Sequence, residues 1–161
     1  MSGSESPPVP ASAPRPSPRR RLDQRALLCA QVDLQVPFPD IDAAQIVWHG
    51  NYFRYFEAAR AELLRRIGYD YPQMRASGFV WPLVDTHVRF IQPIRYAQWI
   101  RVTAGLTEWE NRMRVEYEIR DRDTGQRLAL GATVQCAVTL DGWELQLASP
   151  RAFLDLLEPW L

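Results

Sequence analysis

The chain has no lysine, and all 19 of its basic residues are arginines. The absence of a lysine amine excludes Schiff-base chemistry and a lysine general base. Cysteine and histidine are almost as scarce, with two residues of each. Cys29 and Cys136 are far apart in the sequence and have mostly apolar neighbours, so they are predicted to be free thiols. Because no CxxC motif or His/Cys cluster is present, no metal site is expected.

Long hydrophobic runs and an excess of one charge are also missing. No apolar run approaches the roughly 20 residues that span a bilayer, so no membrane span is expected. The 161 residues carry a formal net charge of zero, which gives no argument for nucleic acid or an anionic membrane as a partner. The residues that are present, 47% hydrophobic and 11% aromatic, suffice for one globular domain with a core.

The N-terminal residues differ in composition from the rest of the chain. Residues 1–25 are rich in Pro, Ser, Ala and Arg, and such a segment cannot bury enough apolar surface to offset the entropy lost on ordering. Residues 1–25 are therefore predicted to form a disordered extension, and residues 26–161 the folded domain. The extension lacks the apolar core of a secretory signal, so a cytoplasmic location is expected.

Hydrophobic periodicity predicts one strand, one long helix and then about four strands. Alternation around Val32 and Val36 is typical of a half-buried strand. A stripe from Tyr52 to Ile67 follows helical spacing, and Gly68 fits the helix end. Alternating segments follow from residue 79 to residue 140, with a turn at residues 123–125, and residues 151–160 are typical of a short helix. This order predicts an α+β fold, in which a curved antiparallel sheet wraps around the long helix.

The segment DIDAAQIVWHGNY, residues 40–52, carries the candidate chemistry. Asp42 precedes the predicted helix start near Gly50, where free backbone N–H groups and the positive end of the helix dipole are expected. Such N–H groups can polarise a carbonyl group while a carboxylate attacks it or activates water. The same spacing is typical of aspartates that only cap a helix, and His49 alone is typical of a structural histidine. The local pattern leaves both interpretations open.

The residues of this segment resemble a known signature. Residues 40–42, 46–49 and 51–52 are similar to the motif of the 4-hydroxybenzoyl-CoA thioesterase family, and the similarity continues through FRYFEAAR and FIQPIRYAQWIRV to Glu108-Trp109. Members of this family are hotdog-fold acyl-CoA thioesterases. The resemblance implies a hotdog fold and hydrolysis of an acyl or aroyl thioester of CoA or an acyl-carrier protein. It implies no cofactor other than the CoA of the substrate.

The same resemblance assigns roles to individual residues. It implies that Asp42 is the catalytic carboxylate, acting as the nucleophile on the thioester carbon or as the base for a water molecule. His49 is implied as the second catalytic residue, with a backbone N–H that holds the thioester oxygen. Asn51 and Tyr52 match positions that begin and pack the helix beside the substrate.

Two positions depart from the family pattern. Gln45 stands where the family has glycine, so it either requires a different backbone angle or places its amide near the substrate. Arg112 is the one residue left of a basic cluster that binds CoA phosphates in some members. Gln45, Asn51, Tyr52 and Arg112 are thus the predicted substrate-binding residues.

The resemblance also implies a homodimer, often paired into a homotetramer, with the acyl pocket at the subunit interface. Residues 81–87 are the predicted contribution of the partner chain, and His87 is predicted to be structural. Two other functions remain open. One is a hotdog hydratase or dehydratase that acts on enoyl or hydroxyacyl thioesters, and the other is a non-catalytic module that binds acyl thioesters.

Overall fold

The computed structural model describes residues 21–161. Four helices and seven strands follow one another along this part of the chain: α1 (Leu22–Arg25), β1 (Leu28–Gln35), α2 (Tyr52–Arg66), α3 (Tyr71–Ala76), β2 (Phe79–Val80), β3 (Leu83–Phe90), β4 (Trp99–Glu108), β5 (Met113–Asp121), β6 (Arg127–Gln135), β7 (Val138–Thr139) and α4 (Arg151–Leu157). The predicted order of strand, long helix and consecutive strands is confirmed.

A five-stranded antiparallel sheet holds the long helix. Its strand order is β1-β4-β5-β6-β3, and β2 and β7 form a separate two-stranded sheet. The alternation in β5 places Met113, Val115, Tyr117 and Ile119 on the buried face, where they form one core with the apolar stripe of α2. The α+β hotdog arrangement predicted from the sequence is therefore confirmed.

Close contact between α2 and the sheet depends on a glycine. The ring of Phe56 stacks on Tyr117 with the ring centroids 4.4 Å apart. A Cβ atom at Gly131 would lie 2.4 Å from Cζ of Phe56, well inside van der Waals contact. Gly131 in β6 thus sets the depth at which α2 packs, and with it the position of the helix start.

The predicted boundary of the N-terminal extension is partly wrong. Residues 1–20 lie outside the described residues. Leu22–Arg25, which were assigned to the disordered extension, form helix α1 instead. The side chain of Leu22 is buried, and a Cβ atom at Gly105 would lie 2.8 Å from it. Since this contact holds α1 against β4, the folded part begins about four residues earlier than predicted.

Other local differences have simple causes. Residues 71–76, to which the sequence patterns assign no element, form α3, because Asp70 caps its first turn by accepting from the N–H of Tyr71 at 2.8 Å. On the exposed side of α2, Glu62 bonds to Arg65 at 2.9 Å. The Arg66 guanidinium turns to strand β1, where Nη1 donates to the carbonyl of Cys29 at 2.7 Å.

The two edges of the sheet differ. Edge strand β1 is in contact with α2. Edge strand β3 exposes much of its surface, including the apolar side chains of Leu83, Val84 and Phe90, which are 51–57% exposed.

In residues 21–161, no helix combines the length and apolar character needed to cross a membrane.

Candidate active site

A short looped segment between β1 and α2 carries the predicted catalytic carboxylate. An isolated bridge pairs Ile41 with Val47, and the N–H of Asp42 donates to the carbonyl of Ile46 at 2.9 Å. The N–H of Val47 also donates to the carbonyl of Ile94 at 2.8 Å. Because both ends of the loop are bonded, Asp42 has a defined position beside the start of α2.

Asp40 anchors this loop to the helix. Its carboxylate is 3% exposed and accepts a hydrogen bond from the Tyr55 hydroxyl at 2.5 Å and another from the Arg54 guanidinium. Its carbonyl accepts from the N–H of Trp48 at 2.9 Å and from the side chain of Asn51 at 3.0 Å. Burial, together with the hydrogen bond to Asp40, raises the pKa of the Tyr55 hydroxyl. Asp40 is therefore a structural residue.

The carboxylate of Asp42 is arranged differently. Its Oδ1 atom accepts from the N–H of Ala44 at 2.8 Å, which fixes the side chain in a local turn. Its Oδ2 atom has no hydrogen-bond partner among residues 21–161. Neither aspartate caps the helix, since the positions before the helical turns are Trp48 and Asn51 and neither makes a side-chain cap bond. The capping interpretation of Asp40 and Asp42 is therefore wrong.

The first helical turn presents unpaired donors. A 3₁₀ turn, His49–Asn51, leads directly into α2. Within the described residues, the backbone N–H groups of His49 and Gly50 have no hydrogen-bond acceptor. A Cβ atom at Gly50 would lie 2.2 Å from the Trp48 ring, so only glycine allows this ring to cover the turn. The positive end of the helix dipole adds to the field of these two N–H groups.

One cleft brings several of the predicted site residues together. It has a volume of about 450 Å³ and contains Asp42, His49 and Tyr52 in its wall. The other lining residues are mainly apolar: Ile46, Val47, Phe90, Ile91, Gln92 and Pro93. Tyr52 packs edge-on against Phe90 with centroids 4.8 Å apart, and burial raises the pKa of its hydroxyl. The cleft can thus hold an apolar group next to the carboxylate of Asp42 and the helical turn that begins at His49.

Sequence reasoning missed the second wall of this cleft. Residues 90–93 were assigned to a predicted strand with no functional role, although Phe90 ends β3 and Ile91 to Pro93 lie beyond it. Pro93 could have indicated that the strand ends here, because proline has no backbone N–H to donate to a neighbouring strand.

Gln45 and Asn51 lie close to the cleft but do not line it. Gln45 is exposed and has a φ angle of +62°. This angle lies in the left-handed region, so the glutamine keeps the backbone conformation that favours glycine. The sequence left two possibilities for Gln45, an unusual backbone angle or an amide placed near the substrate. The structure shows the unusual backbone angle. The Asn51 side chain bonds to Asp40 and accepts from Arg54 at 3.0 Å, which braces the loop.

Arg112 is at the other end of the sheet. It follows strand β4 and bonds to Glu108 with an Nε–Oε1 distance of 2.7 Å. The next residue, Met113, pairs with Gln135, whereas Phe90 at the cleft pairs with Ala129. Six residues of an extended strand correspond to about 20 Å. Within one chain, Arg112 is therefore not brought to the cleft that contains Asp42.

No metal centre is indicated for the described part of the chain. Residues 21–161 contain no group of three or more His, Cys, Asp or Glu side chains placed to hold an ion. Cys29 and Cys136 are both free and half-buried. Burial, partly offset by the nearby Arg66 and Arg25, raises the pKa of the Cys29 thiol.

The fold and this cleft define a protein of the hotdog thioesterase class, and comparison with known proteins identifies the family. Residues 36–151 match the model of the thioesterase-like superfamily, and the chain belongs to this family. The family resemblance predicted from the sequence is thereby confirmed.

Individual relatives carry names of esterases and thioester hydrolases. The chain is 40% identical over 74 residues to an Aquifex aeolicus protein whose name describes a candidate esterase, covering 46% of this chain and 58% of that protein. It is 28% identical over 107 residues to the 1,4-dihydroxy-2-naphthoyl-CoA hydrolase of Thermosynechococcus vestitus, covering 65% and 73%. The match spans about half to three-fifths of the length of the first curated relatives.

Solved structures support the same fold. A hypothetical protein from Aquifex aeolicus is 30% identical, with a TM-score of 0.70 over 80% of this chain and 98% of that chain. A 4-hydroxybenzoyl-CoA thioesterase mutant, complexed with 4-hydroxybenzoyl-CoA, also has a TM-score of 0.70 over 80% and 98%. Because its sequence identity is only 20%, this second similarity concerns the fold alone.

Proposed function

We propose that the chain is a thioester hydrolase that converts an acyl or aroyl thioester into a free acid and a thiol. The observation that carries this proposal is the position of the Asp42 carboxylate in the same cleft as the first turn of α2. The turn supplies the unpaired N–H groups of His49 and Gly50. Family membership supports the same reaction class. The thiol carrier is CoA or, alternatively, an acyl-carrier protein.

In the proposed reaction, the thioester oxygen accepts hydrogen bonds from the N–H groups of His49 and Gly50. These donors stabilise the negative charge that develops on the oxygen when the carbonyl carbon is attacked. Asp42 acts as the nucleophile or as the base for water, and its unbonded Oδ2 is available for either role. The carbon–sulfur bond breaks, and the thiolate leaves and takes up a proton. Water supplies the oxygen of the product acid.

Removal of the Asp42 charge is the direct test. The Asp42→Asn variant keeps the size and part of the hydrogen bonding of the side chain, so we expect an unchanged circular dichroism spectrum and an unchanged oligomer. We expect kcat for acyl-CoA hydrolysis to fall at least about a hundredfold, because an amide neither attacks the thioester nor removes a proton from water. Thiol release, followed with a chromogenic disulfide, measures this rate.

Two further variants complete the experiment. Asp141→Asn, in an exposed turn away from the cleft, is the matched control and should retain activity. His49→Ala should lose less activity than Asp42→Asn, because the backbone N–H, rather than the imidazole, is assigned to the thioester oxygen. Turnover near the wild-type level in Asp42→Asn would refute the proposed role of the carboxylate. Loss of enoyl absorbance without thiol release would indicate a hydratase.

We also propose that Tyr52 contacts the acyl group from the cleft wall, and that the chain acts as a homodimer. Exposed apolar side chains on edge strand β3 support the second point, since an open strand edge is a natural site for pairing with another copy. The assignment of Arg112 to CoA phosphates stays a prediction.

A further inference from the structure

A small pocket lies on the face of the sheet opposite α2. Tyr117 points towards α2, so its neighbours Glu116 and Glu118 in β5 point to the other face. Both glutamates line this pocket, which has a volume of about 100 Å³ and therefore room for one small ion with water beside it. The cleft that contains Asp42 includes Tyr52 of α2 in its wall, so the two cavities lie on opposite sides of the sheet.

Arginines of α1, β5 and β6 surround the two glutamates. Each carboxylate contacts two guanidinium groups: Glu116 contacts Arg25 and Arg114, and Glu118 contacts Arg120 and Arg127. Among the residues that line the pocket, four are arginines and two are glutamates, which leaves a net charge of +2 with His87 neutral. The pocket as a whole therefore attracts an anion.

The positive groups of this pocket are nearer to solvent than the negative ones. The side chains of Glu116 and Glu118 are 19% and 18% exposed. The three lining arginines that contact them are 31–45% exposed: Arg25, Arg114 and Arg127. The carboxylates thus form the floor of the charged cluster and the guanidinium groups its rim, so an anion that enters from solvent meets N–H donors before it meets a carboxylate.

Donors remain available on these arginines. Arg114 bonds to Glu116 only through Nε, at 3.4 Å, and within residues 21–161 its two Nη atoms have no acceptor. Arg127 contacts Glu118 through Nη2 at 3.0 Å and makes no other ion pair in this part of the chain. A guanidinium group has five N–H donors in a planar fork that matches the oxygens of phosphate. The pocket therefore offers more charged donors than its own two carboxylates accept.

We propose that this pocket, here called the arginine pocket, binds a small tetrahedral oxyanion of the phosphate type. The Nη atoms of Arg114 and the guanidinium groups of Arg25 and Arg127 donate to its oxygens through charge-assisted hydrogen bonds. Because Arg25 belongs to α1 and Arg114 to β5, the bound anion joins α1 to the sheet. The inference is independent of the proposed hydrolysis, which belongs to the opposite side of the sheet.

Isothermal titration with inorganic phosphate at constant ionic strength tests the proposal. The wild type should bind one phosphate ion. Arg114→Gln and Arg127→Gln should each bind it about five- to tenfold more weakly, because each variant loses one charge-assisted contact in a partly solvated site. Arg75→Gln, at an exposed position of α3, is the matched control and should bind phosphate as the wild type does.

Glu116→Gln separates a ligand site from a purely structural cluster of ion pairs. The substitution removes a negative charge from the floor of the arginine pocket and releases Arg25 and Arg114. Phosphate binding should therefore become about two- to fivefold tighter, although the variant loses two ion pairs. Binding that is unchanged or weaker in Glu116→Gln would contradict the proposed position of the anion.

Hydrogen exchange shows whether the anion joins α1 to the sheet. Phosphate should slow the amide exchange of residues 22–26 about threefold or more in the wild type and leave it unchanged in Arg114→Gln. Phosphate also stabilises proteins in general because it is excluded from their surface, and such an effect would be equal in the two proteins. No phosphate binding by the wild type, or equal binding by the wild type and both arginine variants, overturns the inference.

Methyl phosphate distinguishes the possible sources of the oxyanion. Binding at least as tight as that of inorganic phosphate would identify the phosphate group of a monoester as the ligand, since the pocket then tolerates an ester carbon. Weaker binding of methyl phosphate would identify the free ion.

Discussion

At the scale of single residues, Asp40 and Asp42 lie only two positions apart but have opposite environments. The carboxylate of Asp40 is buried and bonded to the side chains of Arg54 and Tyr55, whereas that of Asp42 is half-buried and bonded to one backbone N–H. Loss of a buried acceptor leaves its donors unsatisfied and costs about 1–3 kcal/mol. Asp40 thus maintains the loop, whereas one carboxylate oxygen of Asp42 has no hydrogen-bond partner among residues 21–161.

Gln45 provides a test of local backbone strain. A non-glycine residue at a φ of +62° is disfavoured by about 1 kcal/mol relative to glycine. We therefore expect Gln45→Gly to raise the free energy of unfolding by about 1 kcal/mol, measured by urea denaturation. Because the Gln45 side chain does not line the cleft, kcat should stay unchanged.

Ala44→Gly is the matched control for this change. It adds a glycine to the same loop at a residue without a positive φ angle, so it should lower the stability by a few tenths to 1 kcal/mol. If both variants were destabilised equally, the left-handed conformation of Gln45 would not be a source of strain.

The sequence predicted this site unevenly, for physical reasons. The family resemblance singled out Asp42 and His49, and the structure brings both into the wall of one cleft, while their catalytic roles stay predictions. The buried role of Asp40 was not found, because Tyr55 and Arg54 approach it only after the loop folds back on α2. Arg112 was placed near the substrate by similarity, but its position depends on strand register, which sequence spacing does not give.

At the scale of secondary-structure elements, an ion pair within α2 is bonded to α3 through the hydroxyl of Tyr71. Two nitrogens of the Arg60 guanidinium bond to Glu57, with Nε–Oε2 at 3.0 Å and Nη2–Oε1 at 2.6 Å. The Tyr71 hydroxyl accepts from Arg60 at 2.7 Å and donates to Glu57. Burial alone would raise the pKa of Glu57, but the hydrogen bonds and charge of Arg60 outweigh it, and the pKa is lowered.

This lowered pKa predicts a pH dependence of stability. A carboxyl group with a depressed pKa in the folded state stabilises the fold fully above its unfolded pKa, here about 4.5, and loses this contribution as the pH falls through the folded value. We expect the unfolding free energy of the wild type to decrease below about pH 4.5. Glu57→Gln should be less stable at pH 7 and have a shallower acid slope in urea denaturation.

The elements themselves were largely predictable, and the exceptions are instructive. Strong alternation in β5 and a long apolar stripe in α2 gave these elements directly. Helix α3 was missed because six residues carry little periodicity, although Asp70 and Pro72 are both signals of a helix start. Helix α1 was missed because its stability depends on the packing of Leu22 beside Gly105, a contact between residues far apart in the sequence.

At the scale of the whole molecule, edge strand β3 predicts the oligomeric state. A charge placed on its exposed apolar surface should oppose pairing with a second copy. We expect the wild type to sediment as a dimer or a tetramer, and Val84→Lys to sediment as a smaller species with reduced activity. Sedimentation equilibrium measures both masses.

Leu147→Lys is the matched control for this prediction. Leu147 is 86% exposed in a loop that follows β7, so its substitution adds the same charge outside the strand edge and should leave the mass unchanged. A monomeric wild type, or a Val84→Lys protein of wild-type mass, would contradict an interface at β3.

The opposite edge of the sheet, strand β1, is less available than β3 for pairing with another copy of the chain. Arg66 reaches from α2 to the carbonyl of Cys29 and so occupies an acceptor that an incoming strand would need. A sheet with two equally open edges can add copies without end and produce fibres. If copies of the chain pair through β3, as proposed above, the Arg66 contact disfavours the addition of a further copy at β1, and we expect a closed pair rather than a polymer.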